Sequence, residues 1–157
     1  MNQLEDMFIL AAREGNLTIV KEAIQRGVAI EARSPSGGTA LRQAAVLGQT
    51  EVIRFLLDKG ANVNTEDYDG DTPLMGSAGK GHLSATELLI ARGANVNKAG
   101  NNGLTALFYA KKNGHSKIIE ILIKAGAKWQ MLLKIKLRRE DKWRMIWLHP
   151  RISPMNF

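Results

Sequence analysis

Cysteine is missing from this 157-residue chain, which excludes disulfide staples and cysteine-liganded zinc. No apolar run approaches the ~20 residues that a membrane-crossing helix requires. The N-terminal stretch M-N-Q-L-E-D-M-F-I-L is acidic where a secretory signal is basic, so a cytoplasmic location is the expectation. A catalytic constellation is lacking as well. Serine, histidine and carboxylates occur, but no spacing sets a nucleophile beside a base. The run G-S-A-G-K-G at residues 76–81 has neither the spacing of a phosphate loop nor its lysine followed by serine or threonine. No enzyme activity and no cofactor are expected.

What the chain does have is glycine at a fixed period. Gly15, Gly48, Gly81 and Gly114 form one series with a step of 33 residues; Gly27, Gly60, Gly93 and Gly126 form a second; Gly37, Gly70 and Gly103 form a third. Threonine keeps the same step at Thr39, Thr72 and Thr105, each followed two residues later by leucine, at Leu41, Leu74 and Leu107. One structural unit is therefore repeated along the chain.

Each unit reads as two short helices. Thr39 to Leu47 is a run of helix formers with a threonine placed to cap the first turn, and Gly48 ends it. Glu51 to Lys59 is a second helix whose Val52, Ile53, Leu56 and Leu57 form one apolar stripe at the helical period. Gly60 closes it as a left-handed cap. Equivalent stripes are Ile19, Val20, Ala23 and Ile24 in the first unit and Ile118, Ile119, Leu122 and Ile123 in the last. The third unit is weaker, with Ala85 and Thr86 before Leu89 and Ile90. Polar connectors such as A-N-V-N-T-E-D-Y-D-G are rich in turn residues and predict protruding hairpin-like loops.

These residues resemble the ankyrin repeat, whose signature is a β-turn plus two helices around T-P-L-H-x-A. Asp71-Thr72-Pro73-Leu74-Met75-Gly76-Ser77-Ala78 carries that signature most fully, Gly81-His82 matches its G-H step, and G-A-N-V-N occurs at residues 60–64 and 93–97. The resemblance covers residues 4 to 129. It implies an all-α ankyrin-repeat solenoid of stacked helix-turn-helix units with protruding hairpin loops, in four repeats: 4–33, 34–66, 67–99 and 100–129. The first repeat lacks the threonine motif and reads as an N-terminal cap. Arg42, Met75 and Phe108 stand where the motif has histidine, so apolar stacking is expected to replace that residue's hydrogen bonds between repeats. Lys111 stands where Ala45 and Ala78 stood, and is read as marking the end of the array.

Charge divides the chain differently. Residues 1–127 hold 14 Lys and Arg against 13 Asp and Glu, whereas residues 128–157 hold 8 against 2, together with Trp129, Trp143 and Trp147. The basic tail, 130–157, departs from the repeat register. Leu133, Ile135 and Leu137, then Trp143, Met145 and Trp147, alternate with polar residues as in a two-stranded hairpin. A helix from Gln130 to Leu148, stopped by Pro150, competes with it, and an extension with no stable fold is a third alternative. Either ordered form is expected to lay its tryptophans over the apolar edge of the fourth repeat.

Metal chemistry finds little support in the pattern. His82 and His115 hold the G-H position in successive repeats, which stacking sets roughly 10 Å apart, too far for one ion. Asp67, Asp69 and Asp71 resemble the start of a calcium loop, but the twelfth position is Ala78 rather than glutamate. No metal ligand is assigned, and the internal glycines make the helix after Thr72 the expected weak point of the array.

A surface for recognition remains. The resemblance implies a protein partner, bound through the hairpin tips and the concave face of the first helices. The matching loop positions are Pro35, Ser36 and Gly38, then Tyr68, Asp69 and Asp71, then Asn101, Asn102 and Leu104; on the helices they include Val46, Lys80, Lys112 and Asn113. Tyr68 is an aromatic in a polar loop with no core to claim it, and so the anchor of choice. Glu66, Asp67, Asp69 and Asp71 make its fingertip acidic, which suggests a basic partner surface. The protein is expected to be a monomer. A second reading assigns the basic tail to an anionic membrane surface or to nucleic acid phosphates, and a third makes the array a regulatory piece of an enzyme.

Overall fold

The computed structural model describes residues 3–128; the basic tail and the alternatives drawn for it lie outside that range. Among the described residues are eight helices: α1 (Gln3–Glu14), α2 (Leu17–Gln25), α3 (Ala40–Val46), α4 (Thr50–Asp58), α5 (Pro73–Lys80), α6 (Leu83–Ala91), α7 (Ala106–Lys112) and α8 (Ser116–Lys124). They pair in order. The odd-numbered helices stack as one layer, α1 on α3, α3 on α5 and α5 on α7, and the even-numbered helices form a second layer in the same sequence. This is an all-α repeat solenoid, as the sequence predicts.

Local chemistry sets the ends of each helix. Thr39, Thr72 and Thr105 take extended backbone as N-caps, and their hydroxyls accept the amides of Arg42, Met75 and Phe108. That satisfies one amide which a helix start otherwise leaves open. Pro73 occupies the first turn of α5, where its missing N–H is no loss. All eleven glycines of the three periodic series have positive φ, whereas Gly38, Gly76, Gly79 and Gly100 do not. Gly60, at φ +90°, shows the need: it follows the end of α4, and its amide bonds to the Leu57 carbonyl in a conformation that strains any residue with a Cβ. The loops between pairs are hairpins held by isolated antiparallel bridges, Arg33 with Thr39 and Ala99 with Thr105.

The apolar stripes meet between the layers in one continuous core. Val52, Ile53 and Leu56 of α4 are buried, with Leu57 packed at their edge; Val20 and Ala23 do the same in α2, and Ile118 and Leu122 in α8. Ile123 departs from its expected place in the stripe. It is 56% exposed, and lines an apolar depression of about 330 Å³ on the outer side of the last pair with Leu107, Lys111, Ile119 and Ala127. In the third repeat the weak stripe has a polar solution. Thr86, one repeat step on from Ile53, is buried, and its single hydroxyl proton is shared between the His82 carbonyl at 2.8 Å and Ser77 Oγ at 3.1 Å. Ser77 in turn donates to the Leu74 carbonyl, so the buried hydroxyls are satisfied.

Polar ladders run between repeats beside the apolar stacking. Gln49 Nε2 donates to the Arg13 carbonyl at 3.1 Å, His82 Nε2 to the Val46 carbonyl at 3.0 Å, and His115 Nε2 to the Gly79 carbonyl at 3.1 Å. Three residues at one repeat position thus bind three carbonyls at another. A second ladder comes from the G-A-N-V-N asparagines: Asn64 Oδ1 accepts the Asn95 amide and Asn97 Oδ1 the Lys128 amide, both at 2.7 Å. Arg42 adds a third link, from α3 to the next hairpin, with Nε 2.8 Å from Asp67 Oδ2. Of the three residues at the motif position, Arg42 makes a polar contact to the next repeat, while Met75 accepts the Thr72 amide within its own.

Candidate functional site

A groove of about 350 Å³ crosses the exposed face of α3, α5 and α7. Its cause lies in repeat register. The repeat-equivalent positions are Gln43 and Val46 on α3, Gly76 and Gly79 on α5, and Tyr109 and Lys112 on α7, all but Gln43 lining the groove; the middle helix has glycine at both. Spaced three apart, Gly76 and Gly79 lie on one helical face and leave a floor of bare backbone. Their neighbours close over it. A Cβ on Gly76 would sit 2.8 Å from Val46 Cγ2, and one on Gly79 would sit 3.2 Å from Tyr109 Cβ. Val46 and Tyr109 are the walls. The volume is at the low end of the ~300–1,000 Å³ typical of ligand clefts.

The two ends of the groove differ. At the hairpin end, Asp71 is half-buried with Oδ2 3.5 Å from Arg42 Nη2, while its Oδ1 is buried without a hydrogen bond. Burial pushes the Asp71 carboxyl above the usual aspartate range. The Arg42 guanidinium opposes that shift, the charges of Asp67 and Asp69 add to it, and the Tyr109 side chain opposes it weakly. At the other end Lys80, Lys112 and Asn113 stand exposed where α5 and α7 finish. Asn113 Nδ2 donates to the Gly79 carbonyl at 2.6 Å, pinning that end of the groove.

Five of the sequence-derived residues, Val46, Asp71, Lys80, Lys112 and Asn113, are thus brought together around one hollow. Ser36, Tyr68, Asp69 and Asn101 lie elsewhere, in a row along the hairpin tips. The Tyr68 amide donates to the Ser36 carbonyl at 3.3 Å, the Asn101 amide to the Asp69 carbonyl at 2.8 Å, and Asn101 Nδ2 to the Tyr68 carbonyl at 2.9 Å. Tyr68 is 68% exposed, its ring resting on Gly37. Asn102 and Leu104 serve their own turn: Asn102 Oδ1 accepts the Leu104 amide at 2.9 Å, and Asn102 Nδ2 donates to the Tyr109 hydroxyl at 3.0 Å.

A family model for ankyrin repeats, three copies, matches residues 2–67 and again 64–131. The chain belongs to the ankyrin repeat family. No curated protein matches the chain. Within an ankyrin array, the histidines and acids that invite a metal reading have structural duties. The His82 and His115 rings each bind a carbonyl of the preceding repeat. Asp67 Oδ1 accepts the amides of Asp69 and Asp71, and its Oδ2 meets Arg42. Among the described residues no set of three or more such side chains converges on a metal position, and no helix is long and apolar enough to cross a membrane.

Reading the sequence repeat by repeat finds the Val46 wall but misses the floor of the groove and its Tyr109 wall. Gly76 and Gly79 enter it as a failed phosphate loop and a weak point of the helix, not as a surface, and Tyr109 does not enter at all. The available signal was the alignment of the three threonine-led repeats, in which two glycines replace large residues at adjacent surface positions of one helix.

Proposed function

We propose that this ankyrin array captures a protein partner in the cytoplasm, as a monomer and without catalysing a reaction, using the groove and the adjoining row of hairpin tips. Ankyrin repeats are generally protein–protein interaction modules and generally non-enzymatic. The observation that carries the reading is the groove itself. Three consecutive helices turn side chains of different chemistry toward it, and Lys80, Lys112 and Val46 are not claimed by the core. On the hairpin row Tyr68 supplies an exposed aromatic, a residue type enriched where binding energy concentrates.

Affinity purification from the native source, with mass spectrometry of what accompanies the protein, identifies the partner. Tyr68→Ala and Val46→Glu are then compared with the wild type under matched circular dichroism. Each folded variant is expected to weaken capture by roughly 2 kcal/mol if its residue is a binding anchor. Full retention of every partner by both variants would remove the site.

A further inference from the structure

The charge left unpaired on this face is positive. On the hairpin of the third repeat, Arg42 faces Asp67 and Asp71, and Lys98 Nζ lies 2.8 Å from Glu66. Of the four acids that suggest a basic partner, Asp69 alone makes no ion pair with a described residue. The groove lining contains one carboxylate, Asp71, and it sits with Arg42 at the hairpin end. At the far end Lys80 and Lys112 are exposed and neither pairs with a described acid. A lysine at the end of a helix stabilises the helix dipole, which accounts for each charge singly. It does not account for two of them flanking a hollow with a glycine floor and apolar walls.

We propose that the groove receives a short acidic segment of the partner: an apolar side chain seated over Gly76 and Gly79 between Val46 and Tyr109, with a neighbouring carboxylate held by Lys80 and Lys112. This rests on the protein-binding reading above and replaces the basic partner surface that the sequence suggests. Gly76 and Gly79 line the hollow and are partly exposed; Val46 Cγ2 and Tyr109 Cβ lean over the places their Cβ atoms would take, so the walls present Val46 methyls and the Tyr109 ring to an aliphatic group. Two ammonium groups at the open rim select for a carboxylate and raise its rate of encounter, an effect that salt screens.

Short random peptides displayed on phage and selected on the full chain test this directly. Enrichment of sequences that place Asp or Glu beside an aliphatic residue is expected. Their affinity should fall about tenfold or more in the folded Lys80→Glu/Lys112→Glu variant, fall less in Lys80→Ala/Lys112→Ala, and weaken with added salt. Enriched peptides without acidic residues would overturn the inference, as would acidic peptides held equally well by the double variants, which would place them on the basic tail. An empty selection overturns it too. In each of these cases the capture experiment with Tyr68→Ala and Val46→Glu still decides the broader protein-binding reading on its own.

Discussion

Asp71 is held between opposing demands, burial on one side and the Arg42 guanidinium on the other. With its carboxyl raised from 3.8 in the folded state, the native protein binds a proton more readily than the unfolded chain does. The stability this group contributes is therefore fully present below pH 3.8 and is lost as pH rises through the folded value. Asp71→Asn abolishes that titration, so the wild type should lose ground to the variant as pH rises from below 3.8, read as the difference between their urea midpoints. A difference that grows in favour of the wild type as pH rises would contradict the assignment. Gly76 carries a second residue-scale prediction. Alanine in a helix interior is ordinarily worth about 1 kcal/mol over glycine, but here its Cβ meets Val46 Cγ2 at 2.8 Å, from a side chain with little freedom to turn. With an overpacking cost of about 1–3 kcal/mol against that gain, Gly76→Ala should be neutral to destabilising by about 2 kcal/mol net, and in a Val46→Ala background the same substitution should become stabilising. Denaturant titration of the four proteins gives both values.

Helices hold their neighbours through one recurring position, filled by Gln49, His82 and His115. The acceptor is a carbonyl at the end of the preceding first helix, so the ring or amide must donate. Glutamine performs the task at the first junction, and that makes a prediction possible at the second. His82→Ala should cost about 1–2 kcal/mol for the lost bond, whereas His82→Gln should stay within about 0.5 kcal/mol of the wild type. Equal losses for both would mean that ring packing on Gly48 matters more than the bond. The elements themselves are legible in the sequence because their determinants are local: Thr39, Thr72 and Thr105 cap, and a periodic glycine follows each helix. Contacts between repeats are less so. Nothing within residues 39–47 announces that Arg42 reaches Asp67, and nothing within α5 shows that its glycines are walled by Val46 and Tyr109. The pairing of the fingertip acids is hidden for the same reason, since Lys98 and Arg42, which face them, lie 32 and 25 residues from Glu66 and Asp67 along the chain.

Along the whole array, coupling should be short-ranged, because each pair makes its main contacts with the pair before and the pair after. Stability in such a stack is close to a sum of unit terms and nearest-neighbour terms. Val20 in α2 and Ile118 in α8 are both fully buried, yet two helix pairs stand between them. Leu56 in α4 and Leu89 in α6 are equally buried, one repeat step apart, on helices in direct contact. The energetic consequences separate cleanly. Val20→Ala and Ile118→Ala should each destabilise through cavity formation, by roughly 1–5 kcal/mol, and together should add to within about 0.5 kcal/mol. Leu56→Ala and Leu89→Ala should depart from additivity by more than that, because each removes part of the surface the other packs against. Two double-mutant cycles in urea measure both quantities. Strong coupling between Val20 and Ile118 would show that strain or order passes through α3 to α6 as through a rigid body, and the array would then present its groove as a single stiff surface rather than as junctions that yield one at a time.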